Sequence, residues 1–80
     1  MIESELLGRL RARKELPAPS ECKRIRIAAG AGLRDVAREI GVSAMSIQRW
    51  ESGACKPGHG AVAYARLLEE LERIVGKAGP

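Results

Sequence analysis

The sequence predicts an all-α fold, a compact helix bundle organised around a helix-turn-helix, and three observations lead there. Apolar residues recur at helical spacing, Val and Ile never alternate with polar residues over five or more positions, and Thr is absent, so strands find no support. Glycine, proline and serine stand where helices start and stop. The segment GLRDVAREIGVSAMSIQRWESG, residues 32–53, reads as two short helices joined by a tight turn. A chain of 80 residues makes one small domain, which buries roughly 60–65% of its unfolded surface, a marginal core unless well packed or shared with a partner.

The elements follow in order. Residues 1–16 form an N-terminal amphipathic helix, from about Ile2 to Glu15, with Ile2, Leu6, Leu7 and Leu10 as a narrow apolar stripe. Arg9, Arg11, Arg13 and Lys14 crowd its last turns, where the helix dipole favours cations. Pro17 and Pro19 end it, leaving 17–19 as a stiff connector. A second helix covers Ser20 to Ala29, buries Ile25, Ala28 and Ala29 with Cys22 one turn earlier, and stops at Gly30. Ala31 tucks into the core and Gly32 caps the next helix, 33–40, whose inward stripe is Val36, Ala37 and Ile40. Gly41 takes the positive φ of the turn, Val42 plugs it, and Ser43 is the N-cap of a helix over 44–51. That helix turns Ile47 and Trp50 inward and leaves Ala44, Met45, Ser46, Gln48 and Arg49 outside or at the rim. Gly53 stops it, ACKPGHG is an irregular loop, and a last helix runs from Ala61 to Val75. Its apolar face is Val62, Tyr64, Ala65, Leu68, Leu71, Ile74 and Val75. Gly76 begins a frayed end, and 77–80 are a disordered tail beyond the 20–76 helix-turn-helix domain.

Charge is unevenly placed. The net charge is +4, and residues 20–57 supply +3 of it from seven cations against four acids. The excess lies where phosphate contacts would be made. An arginine-rich codon composition is the competing explanation. Arg34 and Arg38 on the exposed face of the 33–40 helix and Lys56 in the following loop are the phosphate candidates, with Lys23 and Arg24 behind them, since a charged helix face is often only solvated. Cys22 and Cys55 lie 33 residues apart with His59 as the single histidine, too few ligands for a zinc site, so no metal or cofactor is expected and reduced thiols are. Apolar runs fall short of the roughly 18–20 residues of a membrane span and no signal-peptide core is visible, which predicts a soluble cytoplasmic protein.

The stretch KRIRIAAG…LRDVAREIGVSAMSIQRWESG…KP resembles the Xre/Cro/lambda-repressor-like helix-turn-helix family over about residues 20–72, through an A-x-x-x-G-V-S…I-x-x-W-E-x-G pattern. The resemblance implies a lambda-repressor-like bundle with an extra N-terminal helix, double-stranded DNA as partner, and a small phage-type or Cro-like regulator at the nucleoid of a bacterial cell or phage-infected host. It places base reading on Ala44, Met45, Ser46, Gln48 and Arg49 and sets Ser43 beside phosphate at the head of the helix. Arg49 suits guanine O6 and N7, Gln48 or Ser46 an adenine or other edge, and Ala44 and Met45 a thymine methyl. It also implies that Arg26 and Glu51 pair inside the fold. Trp50 offers a stacking surface for bases, but its side of the helix and the family pattern both make it core. Two departures stand out: Leu33 and Ala44 occupy positions that in the family carry polar residues able to bond DNA.

Three functions are weighed. A sequence-specific transcriptional regulator that occludes a promoter comes first, acting as a possible homodimer through the last helix or through Ile2, Leu6 and Leu10. A protein-interaction module on the same fold, with a toxin, polymerase or phage protein as partner, is the alternative. An enzyme is the weakest reading: there is no carboxylate pair in a cleft, no glycine-rich phosphate loop and no nucleophile beside a base, so no small-molecule substrate is expected.

Overall fold

The computed structural model describes residues 4–78, apart from the side chains of residues 9, 12–15, 77 and 78. The expectations for Ile2, Gly79 and Pro80, and for the side chains of Arg9, Arg13 and Lys14, therefore lie outside the described residues. The described residues form five helices and no strand: α1 (Glu5–Glu15), α2 (Pro19–Ala28), α3 (Leu33–Ile40), α4 (Ala44–Ser52) and α5 (Ala61–Ala78). The all-α fold class predicted from the sequence is what the chain adopts. Helices α2 and α3 both pack on α4 and on α5, and α1 lies along α5. The core is made by Cys22 and Ile25 of α2, Val36 and Ala37 of α3, Ile47 and Trp50 of α4, and Tyr64 and Leu68 of α5. Each large apolar side chain among them contributes roughly 1.5–3 kcal/mol on full burial.

Local chemistry sets the helix ends. Ser4 caps α1, its hydroxyl accepting from the Leu7 amide at 3.1 Å. Gly41 at φ 88° and Gly53 at φ 82° close α3 and α4 in the left-handed conformation that glycine adopts without steric cost. Gly32 has no side chain to cap α3. The Asp35 carboxylate instead accepts from the Gly32 amide at 2.8 Å.

Several expectations are corrected. Pro19 does not end a helix but opens α2 at its first position, where its missing N–H is one the helix cannot use anyway; the connector shifts to residues 16–18. Ala28 is exposed, because the inward side of α2 passes through Cys22, Ile25 and Arg26. Ile74 is likewise exposed: the inward stripe of α5 follows Ala61, Tyr64, Leu68, Leu71 and Val75, and Ile74 sits about 100° around the helix from Val75. Ala61, buried completely, belongs to that stripe by its three-residue spacing from Tyr64. Helix α5 does not fray at Gly76 but continues to Ala78; one glycine costs only about 1 kcal/mol in a helix already fixed by its packing. Leu6, Leu7 and Leu10 are exposed and do not join the core.

One polar interaction ties the bundle together. Arg26 of α2 and Glu51 of α4 are both buried, each 8% exposed. The guanidinium donates from Nε to Glu51 Oε2 at 2.6 Å and from Nη2 to Oε1 at 2.9 Å. Its Nη1 donates to the Ala31 carbonyl at 3.0 Å, in the turn leading to α3. The parallel double bond holds the arginine charge more firmly than usual, raising its pKa against the opposing effect of burial. Removing one partner strands a buried charge. Arg26→Met or Glu51→Leu alone should therefore cost about 3–5 kcal/mol in urea denaturation. The double variant should cost clearly less than the sum, and an additive loss would show that the two side chains do not act on each other.

Tyr64 packs against Trp50 with ring centroids 5.0 Å apart. Its hydroxyl is buried and has no hydrogen-bond partner among the described residues. The Cys22 thiol beside it gives its proton to the Pro17 carbonyl, 3.4 Å away. Burial is the main cause that pushes the Tyr64 phenol well above its ordinary pKa of 10.0, and the Cys22 thiol above 9.0. The unfolded chain loses these protons first as pH rises, so the stability they lend is whole below pH 9 and declines above it, first through the thiol and then through the phenol. Thermal melts should fall from about pH 9 to 11. Tyr64→Phe should leave neutral-pH stability within about 1 kcal/mol of the parent, since it removes an unpaired buried hydroxyl, and should flatten the upper part of that decline.

Candidate nucleic-acid interface

The α3–turn–α4 unit is fixed by short-range bonds. The Gly41 and Val42 amides both donate to the Ala37 carbonyl, at 2.8 and 3.0 Å, which ends α3 and reverses the chain. The Ser43 hydroxyl accepts from the Ser46 amide at 3.1 Å and lies 3.0 Å from the Ser46 hydroxyl. Val42 and Ile40 are half-buried against the core. From inside, α4 is held by Ile47, Trp50 and Glu51, all buried. From behind, it is held by Gly60: a Cβ there would come within 3.0 Å of the Trp50 ring and 3.1 Å of Ile40 Cγ2. Helix α4 thus has a fixed rotation, and its outer face follows from it.

That outer face carries Met45, Gln48 and Arg49, all exposed, with Met45 at 56%. They stand at the i, i+3, i+4 spacing of one helical stripe. Ser52, seven residues after Met45, extends the stripe, and that spacing is the sequence signal for it. Its hydroxyl donates to the Arg49 carbonyl at 3.1 Å and accepts from the Ala54 amide at 3.3 Å. Two candidates stand apart from the stripe: Ala44 is half-buried and packs on the core, and Ser46 is half-buried with its hydroxyl against Ser43.

The cations sort by what they touch. Arg34 and Arg38 are exposed one turn apart on α3, which packs directly on α4. Lys56 is exposed in the loop that the Cys55 amide ties to the Arg49 carbonyl at 3.3 Å. Lys23 is exposed on α2. Among the described residues none of these four, nor Arg49, has an ion-pair partner. Arg24 does: its Nε donates to Glu21 Oε1 at 2.8 Å, which holds the Glu21 carboxyl below its ordinary range. Arg24 also feels Glu72 of α5, which sets it apart from the α4 face. The four acids of this region are largely spoken for. Glu51 is paired with Arg26, Glu21 with Arg24, and Asp35 with the Gly32 amide, which leaves Glu39 exposed on α3. The unpaired charge on α3, α4 and the following loop is therefore predominantly positive. Leu33, in place of a polar residue at the start of α3, is half-buried against the core and offers no hydrogen bond outward.

Behind the end of α4 lies a cleft of about 520 Å³ whose walls include Leu10, Leu16, Pro17, Trp50 and Tyr64. The two free thiols, buried Cys22 and exposed Cys55, line it with Lys56. No group of three or more metal-ligating side chains occurs among the described residues, and no described helix is long and apolar enough to cross a membrane. No family model, no curated protein and no solved structure matches the chain.

The orientation of the stripe depends on the start of α4. Ser43→Ala should lower the urea midpoint by an amount equal to about 1 kcal/mol. Ser43→Asp should recover most of it, because a carboxylate also accepts the Ser46 amide and meets the positive end of the helix.

Proposed function

We propose that this chain binds double-stranded DNA with sequence preference and serves as a small transcriptional regulator, most simply a repressor of the Cro or phage type, with α4 laid in the major groove. The observation that carries the reading is the outward stripe of α4. Met45, Gln48 and Arg49 project from a helix whose rotation is fixed from three sides, beside cations that no acid among the described residues neutralises. A guanidinium reads guanine O6 and N7 by two parallel bonds, an amide reads adenine N6 and N7, and a thioether side chain packs on a thymine methyl. Arg34, Arg38 and Lys56 are placed to meet phosphate, with Lys23 farther back. The mechanism is steric: an occupied operator excludes polymerase, and no bond is made or broken. Two copies would address half-sites about 34 Å apart.

A protein partner for the same face is the second reading. It is favoured by the exposed Met45, by Ala44 and Leu33 where hydrogen-bonding groups would otherwise reach DNA, and by the Asp35 carboxylate at the head of α3. Selection of bound sequences from a random duplex pool, followed by anisotropy titrations at several salt concentrations, separates the two. DNA binding requires a consensus and an affinity that falls linearly with the logarithm of salt; a pool that shows no enrichment even at low salt sinks it. Arg49→Ala should cost about 1–3 kcal/mol and relax preference at one base pair, whereas Arg38→Ala should weaken every sequence alike and reduce the salt slope by about one.

A further inference from the structure

The connector before α2 and the loop after α4 both wall the cleft of about 520 Å³, a volume within the roughly 300–1,000 Å³ that small-molecule sites occupy. Helix α1 rests on α5 by its glycine side, where a Cβ on Gly8 would lie 3.9 Å from Val62 Cγ2, and Leu10 of the same helix adds a further wall. Pro17, Pro19 and Trp50 contribute three flat rings to the lining. Surfaces of this kind pack best against another flat ring.

Two polar groups interrupt the apolar lining, one deep and one shallow. Tyr64 lines the cleft and is 2% exposed, yet its hydroxyl has no hydrogen-bond partner among the described residues. The Cys22 sulfur beside it accepts only weakly, and the thiol proton goes to the carbonyl of Pro17, another wall residue. The hydroxyl therefore lies among cleft residues at the buried side. Burial keeps it protonated at neutral pH, so it offers a donor, and an acceptor delivered from the cleft would satisfy it. Lys56 is exposed on the same lining and has no ion-pair partner among the described residues. Its ammonium at the open side favours an anion. We propose that the cleft binds a small aromatic carboxylate with an oxygen at its inner end. The ring lies against the prolines and the indole, the carboxylate meets Lys56, and the inner oxygen accepts from the Tyr64 hydroxyl. The site does not depend on α4 reading DNA.

Titration of the full chain with 4-hydroxybenzoate, followed by nuclear magnetic resonance, tests it. The indole N–H signal of Trp50, the only tryptophan in the chain, should shift saturably together with the Cys55 and Lys56 amides. Benzoate, which lacks the inner oxygen, should bind about tenfold more weakly. The neutral 4-hydroxybenzyl alcohol should bind about threefold more weakly and without salt dependence. Tyr64→Phe should lose about tenfold for 4-hydroxybenzoate and no longer prefer it to benzoate. Lys56→Gln should lose about threefold and most of the salt dependence. If Tyr64→Phe disturbs the fold, the ranking of the three probes on the parent and the Lys56→Gln result decide the matter. The proposal is overturned by the absence of a saturable Trp50 shift at millimolar probe, or by shifts confined to the outer faces of α3 and α4. It is equally overturned by a parent that binds all three probes alike, or by folded Tyr64→Phe and Lys56→Gln variants that bind as the parent does.

Discussion

The Arg26–Glu51 pair is the interaction on which the rest of the molecule depends. It joins the middle of α2 to the end of α4 by two parallel bonds, and the third guanidinium nitrogen secures the Ala31 carbonyl in the turn that launches α3. One buried side chain therefore sets the relation of three helices. In a bundle with few large side chains, apolar contacts alone leave neighbouring helices some freedom to rotate or slide. A bidentate pair has one satisfactory geometry and removes that freedom. Specificity of arrangement is what it contributes, since a buried ion pair adds little net stability over an apolar replacement of the same shape.

The candidate interface inherits its definition from this arrangement. Ile47 and Trp50 enter the core because Glu51 is anchored one residue on, and Met45, Gln48 and Arg49 are outward for the same reason. The electrostatics follow from a second economy: the acids of the region are mostly engaged in structural bonds, whereas Arg34, Arg38, Arg49 and Lys56 have no such task among the described residues. A net charge of +3 over residues 20–57 therefore understates how positive the outer surface is. Helix ends matter here too. The start of α3 is the kind of place where backbone amides receive an anion, but the Asp35 carboxylate already accepts from Gly32.

Much of this is legible in the sequence because its causes are local. Helix α3 spans the residues that Gly32 and Gly41 delimit, and α4 overshoots its expected end by one residue, where Gly53 stops it. The Ser43 cap, the inward Ile47 and Trp50, and the resemblance-derived Arg26–Glu51 pair likewise stand as expected. What escapes sequence reading depends on neighbours distant along the chain. The rotation of α2 that exposes Ala28 is set by Glu51, twenty-five residues beyond Arg26. The exposure of Ile74 reflects which stripe of α5 meets α2 and α3. The outward leucines of α1 follow from α5 receiving the glycine side of that helix, a choice no periodicity within α1 reveals. At the candidate site, the pairing of Arg24 with Glu21 is an i, i+3 relation visible in the sequence, while the inward packing of Ala44 is not.

Gly60 gives the α4 face a remote point of control. It is buried at the end of the loop between α4 and α5, and its hydrogen atoms are all that fits between the backbone and the indole of Trp50, with Ile40 on the other side. Any side chain there is relieved only by moving the indole or Ile40, and the indole belongs to the helix whose opposite surface carries Met45, Gln48 and Arg49. The outer surface of α4 can thus be re-aimed from inside without altering a single residue on it. For selection acting on binding preference, this hidden position is as consequential as the exposed ones.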